Sequence, residues 1–470
     1  MKKGEITVFL SLMMTVMVGV LFQVIEAART NGVRFMTECA ADMALQSVLA
    51  EYNREMLNQY DLFFVDSAYG SSYETNTPLE GHLTDYLNEN LGPGEGAPGV
   101  FKDFYDASCE SVVVSETCKA SDMLGDVVER YAVDYMLDLY ELDEIPFFSN
   151  ERSVIEQKGL LGNKFEEEKA KNKERIARYR KKGKKKYKHF SIDNPADAVF
   201  DQMDPGIVLG KVTGSDGISA KKIAGTEYVS SREYDEGDGF LHGENAATDV
   251  EDMIFQRYLA ERCGNYVTRK SNSGLDYELE YVLFGKDSDR DNLDSAVTRL
   301  LLIRSTANLL YLSCDSRRCA EAEALAYTVA AVCLLPELGK ILKWSIILAW
   351  SYSEAVNDIR ILLSGGKVAL IKTDEQWKLG LMEGLRMKTP GGNNASGLSY
   401  RDYLQMLMLF VNKEERNMRF LDIMEMDVRR ASGNDLFRID RCIHDLEAVI
   451  TVKTGWGHHI RIERLVGYQK

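Results

Sequence analysis

The feature that most constrains this chain lies at its start. Residues 6–25, from Ile6 to Ile25, contain no charged side chain, and they are bracketed by Lys2 and Lys3 before and by Glu26 and Arg29 after. Twenty helical residues at about 1.5 Å each span about 30 Å, the hydrocarbon thickness of a bilayer. The run therefore predicts one transmembrane helix. The competing reading is a cleaved signal peptide, whose apolar core is usually about 7–15 residues and ends in a small-x-small site. Here the exit reads Val24-Ile25-Glu26-Ala27-Ala28, a poor site, and a retained anchor is the expectation. Lys2 and Lys3 favour a cytoplasmic N-terminus under the positive-inside rule, which places residues 1–5 inside the cell and the body beyond the membrane. The localisation that follows is a single-pass cell-membrane protein with an extracytoplasmic body. Thr7, Ser11, Thr15, Gly19 and Gln23 recur at every fourth position along one side of this helix. Small and polar residues so placed permit close approach of a partner helix, and this face is the expected membrane packing surface.

The helical pattern runs on beyond the lipid, with Leu45, Val48, Leu49, Tyr52 and Met56 at i, i+3 and i+4 spacing and no proline before Pro78. A helix continuing from Ile6 to about Tyr60 would be about 80 Å long. Residues 26–66 are thus expected as a stalk helix and an extended exit, with Gly32 as its weak point. Residues 67–290 read as a mixed α/β head, with a strand around Val112-Val113-Val114, a helix over about 121–144, a helix over about 248–266 and a strand over 277–284. Residues 191–245 look loop-rich. Residues 291–470 read as a helical part of the head, with helices over about 293–312, 324–335, 341–349, 399–411 and 414–430. They close with a hairpin turning at Gly455-Trp456-Gly457. The fold class expected is α+β and helix-rich, a long transmembrane-plus-stalk helix carrying a mixed α/β head with a C-terminal β-hairpin.

A basic excursion over residues 166–190 interrupts the head, with 12 Lys or Arg among the 20 residues 169–188. Glu167 precedes Lys171, and Glu174 precedes Arg178, by four residues, the favourable order for a helix, so its first half is expected as an exposed helix. Lys181, Lys182, Lys184, Lys185 and Lys186 are the candidate contact for an anionic lipid or wall polymer. The whole chain is acidic, 57 Lys+Arg against 73 Asp+Glu for a net charge of −16, which argues against a nucleic-acid partner.

Signatures of chemistry are sparse. The sequence has no HExxH, GxSxG or GxxxxGK[ST], the motifs of zinc peptidases, serine-hydrolase elbows and P-loops. Its 8 cysteines form no CxxC; Cys109 and Cys118 could pair if a turn intervenes, and Cys314 and Cys319 only if the helix is broken between them, and buried free thiols are the favoured reading. Asp287, Asp289 and Asp291 have the first spacings of a calcium loop, but its sixth position is Asn292 and its twelfth Thr298, where the motif needs Gly and Glu. A helix start whose acids complement its dipole accounts for the cluster equally well. No catalytic, cofactor or metal site is assigned, no cofactor is expected, and the chain is expected not to be an enzyme.

The opening GEITVFLSL, the exit IEAAR and the stretch LAEYNREMLNQYDLFFVDSAYG resemble a group of uncharacterised membrane-anchored proteins of Gram-positive bacteria, found alongside tight-adherence (Flp-type) pilus and secretion components. The stretch from AYTVAAVCLLPELGK to LSGGKVALIK, Asp374-Glu375-Gln376-Trp377, and LSYRDYLQMLMLF resemble the same group. The resemblance covers the first sixty-odd residues and about a hundred near 320–410. It implies a pseudopilin-like anchor with an extracytoplasmic head and protein partners along the transmembrane and stalk helix. Lys2-Lys3-Gly4 looks like a prepilin-peptidase site, but the fifth residue after the glycine, acidic in prepilins, is Phe9 here. The leading expectation is a structural or assembly partner of a pilus-like system. A membrane-tethered binding or sensor module is the alternative, followed by an envelope hydrolase of unrecognised class.

Overall fold

The computed structural model describes residues 3–73, 75–92, 106–140, 149–186, 194–203, 205–213, 217–223, 227–243, 245–332, 336–388, 390 and 396–468. The Gly/Pro-rich stretch from Gly92 to Gly99, which the sequence marks as a loop, lies, but for Gly92, outside the described residues. The chain forms two compact units, Met1–Tyr135 with Arg232–Ala247 and Met424–Lys470, and Met136–Ser231 with Thr248–Ile423.

The first unit is a helix-backed sheet. Its elements are α1 (Lys3–Leu49), α2 (Arg54–Tyr60), β1 (Val65–Asp66), α3 (Thr77–Leu91), β2 (Ala107–Lys119), the start of α4 (Asp122–Leu139), β3 (Cys442–Thr454) and β4 (His459–Gly467). β3 is the centre of an all-antiparallel sheet, bonded to β2 along one edge and to β1 and then β4 along the other. Val33, Ala40, Ala41, Ala44, Leu45 and Val48 of α1, at helical spacing, enter one core with Leu79, Leu83, Leu87 and Leu91 of α3 and with Ile443, Leu446, Ala448, Ile450 and Val452 of β3. The alanines let α1 lie close to its neighbours, and each buried Leu or Ile contributes about 1.5–3 kcal/mol of apolar burial. The C-terminal hairpin is present as expected. The strand around Val112 is present too, but longer.

The uninterrupted helix to Tyr60 is not. α1 stops at Leu49, passing through Gly32 unbroken, and Asn53 starts α2 afresh. The Asn53 side chain accepts the N–H groups of Glu55 at 3.0 Å and Met56 at 3.1 Å, while the Asn53 backbone N–H donates to Phe64 O at 2.8 Å. A side chain that caps a new helix competes with continuation of the old one. Met56 and Tyr60 are buried after this turn, so the periodicity was real while the continuity was not.

The second unit is almost wholly helical: the end of α4, α5 (Ser149–Lys158), α6 (Lys164–Lys186), α7 (Asp197–Phe200), α8 (Pro205–Val212), α9 (Asp249–Arg262), α10 (Glu278–Phe284), α11 (Asp289–Cys314), α12 (Ser316–Val332), α13 (Gly339–Leu363), α14 (Leu381–Leu385), α15 (Tyr400–Met408) and the start of α16 (Lys413–Arg429). α13 is the buried axis, packed by α11, α12 and α6. The strand expected over 277–284 is instead α10. Every residue of Glu278–Leu283 is buried, and a short apolar run buried all round carries no period that separates strand from helix. Gly285, at φ +58°, closes the helix in the left-handed region. Two short helices, α7 and α8, stand within the stretch read as loop.

Candidate functional site

The first half of α1 stands apart. Its most apolar stretch has a mean hydropathy of 2.4, and none of that stretch is buried within the protein. Large apolar side chains from Ile6 to Ile25 are 42–68% exposed, among them Phe9, Leu12, Met14, Leu21 and Phe22. A contiguous apolar surface of this kind marks a membrane or protein contact. Among the described residues this is the one helix long and apolar enough to cross a membrane, and it fits a membrane anchor or a signal sequence. Thr7, Ser11, Thr15, Gly19 and Gln23 are all exposed on it. Ser11 Oγ donates to Val8 O and Thr15 Oγ1 to Ser11 O, each at 2.9 Å, so these hydroxyls are satisfied within the helix. A Cβ at Gly19 would meet no atom within 4 Å.

The described part of the basic excursion forms a helix, α6, that packs within the second unit. α6 buries Phe165, Asn172 and Ile176, and Asn172 Nδ2 donates to Ser345 Oγ of α13 at 2.5 Å. On its outer face Glu174 pairs with Arg178 at 2.6 Å, and Lys171 with Glu168 at 2.9 Å and with Glu167 at 3.9 Å. Lys181 is exposed. Lys182, Lys184, Lys185 and Lys186 continue the helix, and their side chains lie outside the described residues.

The polar centre of the second unit escaped sequence reasoning. Arg304 of α11 donates from Nε and Nη2 to Asp358 Oδ2 of α13 at 3.0 and 2.9 Å, and from Nη1 to the carbonyls of Ala369 and Leu370. Lys372 pairs with Asp358 Oδ1 at 2.5 Å and with Glu354, one turn earlier on α13. Glu354 also accepts the N–H groups of Lys378 at 3.0 Å and Leu379 at 2.9 Å. All four ionic side chains are nearly or wholly inaccessible. Burial alone would raise Asp358, but Lys372 and Arg304 outweigh it and hold its carboxyl below the ordinary range. Burial raises Glu354, with Lys372 opposing and Asp358 adding. Two cations and two anions balance in this closed network, which pins the 369–379 segment to α13. The available signal was charge inside an apolar helix, Glu354 and Asp358 at i, i+4; what it lacked was the identity of the partners.

Another buried carboxylate, Glu280, has no cation at ion-pair distance among the described residues. Glu280 accepts from Tyr266 N at 3.0 Å and from Tyr400 Oη at 2.8 Å, and burial pushes it up to about 7. The aspartates with calcium-loop spacing are used structurally: Asp289, buried, accepts the N–H groups of Asp276 and Tyr277, and Asp291 accepts the Ser288 hydroxyl at the start of α11. Among the described residues no group of three or more His, Cys, Asp or Glu side chains is placed to hold a metal ion, and no disulfide joins the seven described cysteines.

Each unit has a cleft. In the first, a polar cleft of about 500 Å³ gathers Ser67, Asn76, Lys119, Arg438 and Arg441 against the acidic loop 233–236. In the second, a cleft of about 630 Å³ is walled by Phe165, Met203, Phe284, Leu301 and Leu302, with Ser305 and Tyr352 on its lining. The Ser305 hydroxyl is buried there without a hydrogen-bond partner.

Comparison with curated proteins and with solved structures found no match. A family model does match, over residues 185–454, which takes in the buried charge network, α10 and strand β3 but not α1. The chain thus belongs to DUF5702, a family of unknown function.

Proposed function

We propose that this chain is a single-span membrane-anchored protein, its N-terminus cytoplasmic and its folded body outside, that serves as a pseudopilin-like structural or assembly partner in a tight-adherence pilus-like system, without catalysis. The observation that carries the reading is the division of α1: a bare apolar half of bilayer length continues, without a break, into a half that forms the core of a four-stranded sheet. A hinge-free helix of this kind transmits position from the membrane to the body. The orientation is supported by Lys2 and Lys3, the pilus context by the sequence resemblance, and the non-catalytic role by the lack of a hydrolase, zinc-peptidase or P-loop motif in the sequence.

Protease shaving of wall-free cells, following a C-terminal tag, tests the reading. Loss of the tag while a cytoplasmic control survives is the expected result. A tag protected until the membrane is opened sinks the extracytoplasmic placement and the pilus-like role with it.

The mixed-charge cleft at Lys119, Arg438 and Arg441 favours a second reading, a tethered module that binds an envelope polymer or polar solute. Replacement of Arg438 with Gln would then weaken retention on isolated wall polymer, whereas an assembly partner would be indifferent to it.

A further inference from the structure

The tip of the β3–β4 hairpin lies beside the point where α1 leaves its apolar run. His458 Nε2 is 3.2 Å from Glu26 Oε1, and the Arg29 guanidinium lies over the Trp456 ring. Glu26 and Arg29 are the first charged residues after Ile25, so the hairpin holds both charges that end the uncharged run. The turn itself is tightly built. Thr454 N donates to His458 O at 3.0 Å, Gly457 N to Thr454 O at 2.9 Å, and Gly455 N to Asp106 O at 2.8 Å. Gly457 sits at φ +81°, a conformation that favours glycine. The product is a fixed turn that projects one large aromatic, Trp456, which remains 43% exposed despite its contact with Arg29. Lys453, also exposed, precedes the turn on β3, three positions before Trp456.

We propose that this turn is a second membrane contact, in which Trp456 seats its indole among the lipid headgroups of the bilayer that α1 crosses, with Lys453 drawing on anionic headgroups. The inference rests on the membrane-anchor reading above. With residues 6–25 filling about 30 Å of hydrocarbon, Glu26 and Arg29 fall at the headgroup boundary. Trp456, held against Arg29, falls at the same level, where tryptophan is enriched because its ring is apolar and its N–H is polar. The surface is continuous with the anchor, and its occupant is the lipid interface of the same membrane. Its effect is orientation: one helix leaves rotation and tilt free, and interfacial side chains are among the features that set them.

The test uses the full chain reconstituted into phosphatidylcholine–phosphatidylglycerol vesicles, with and without lipids brominated near the top of the acyl chains, as wild type and as Trp456→Phe. Quenching of tryptophan fluorescence by the brominated lipid is the readout. The expected result is quenching in the wild type that is mostly lost in W456F, while both proteins float with the vesicles after a carbonate wash. Equal quenching of the two, with flotation intact, overturns the inference and leaves the anchor standing. Failure of the wild type to float after carbonate overturns the anchor reading, and the inference falls with it.

Discussion

Helix α6 and the α11–α13 pair both carry ion pairs at hydrogen-bonding distance, and by length alone they cannot be ranked. Arg178 and Glu174 meet at 2.6 Å with side chains 70% and 64% exposed, whereas Arg304 and Asp358 meet at 2.9 Å with none. The exposed pair exchanges water for a partner at little gain, since solvent screens it. The buried set has surrendered its water altogether, and each charge depends on the others being present. Contact distance therefore says little about what an ion pair contributes; the surroundings decide. Glu280 supplies the third case, a carboxylate as deeply buried as Asp358 but with no cation beside it among the described residues, and its proton affinity moves the opposite way.

The largest expected effect separates the buried set from the rest. Asp358→Asn leaves Arg304 and Lys372 buried with one anion between them and should cost about 3–5 kcal/mol in chemical denaturation. Trp350 and Trp377, both buried close to this network, report its loss by fluorescence. A cost under about 1 kcal/mol would erase the distinction between the two sets. Next is Glu280. Its carboxyl titrates near 4.5 in an unfolded chain and at about 7 when folded, so the folded state favours the proton. The stability it contributes is complete below pH 4.5 and is lost as pH rises through 7, a change of about 3 kcal/mol. Glu280→Gln should flatten the wild-type decline between pH 4.5 and 7.5, and parallel profiles for the two proteins would contradict this assignment. Smallest is Glu174→Ala on α6, expected within about 0.5 kcal/mol of wild type. A larger loss, or one that vanishes in high salt, would mean that the α6 charges act as a network.

Where the sequence could be read, the signal was local. The uncharged run, the hairpin around Gly455-Trp456-Gly457, and the helices α9, α11, α15 and α16 follow from periodicity and capping residues within a dozen positions. Failures were of two kinds. At Asn53 a cap outcompeted a continuing pattern, and at Glu278–Phe284 complete burial erased the period that tells helix from strand. The pairing of β2 with β3 joins residues more than 320 apart, and the partners of Glu354 and Asp358 come from Arg304 and Lys372 on separate segments. No local pattern encodes those meetings. The bare apolar run of α1 was legible because its length and its lack of charge lie within twenty consecutive residues; the clefts were not, because they are made by elements that only the fold brings together.

The order in which the ribosome makes this chain bears on strand β3. The centre of the first unit's sheet begins at residue 442, 393 residues after α1 ends at residue 49. At 5–20 residues per second this is a wait of about 20–80 seconds, during which α1, α3 and β2 exist without the strand that joins them. Their apolar faces, Leu45, Val48, Leu83 and Leu87 among them, have no sheet to cover them in that interval. A chain broken off anywhere before residue 442 never gains that cover. Completion of synthesis is thus written into the packing of the N-terminal helix, and truncated products should be distinguishable to a protease or a holding chaperone by that helix alone.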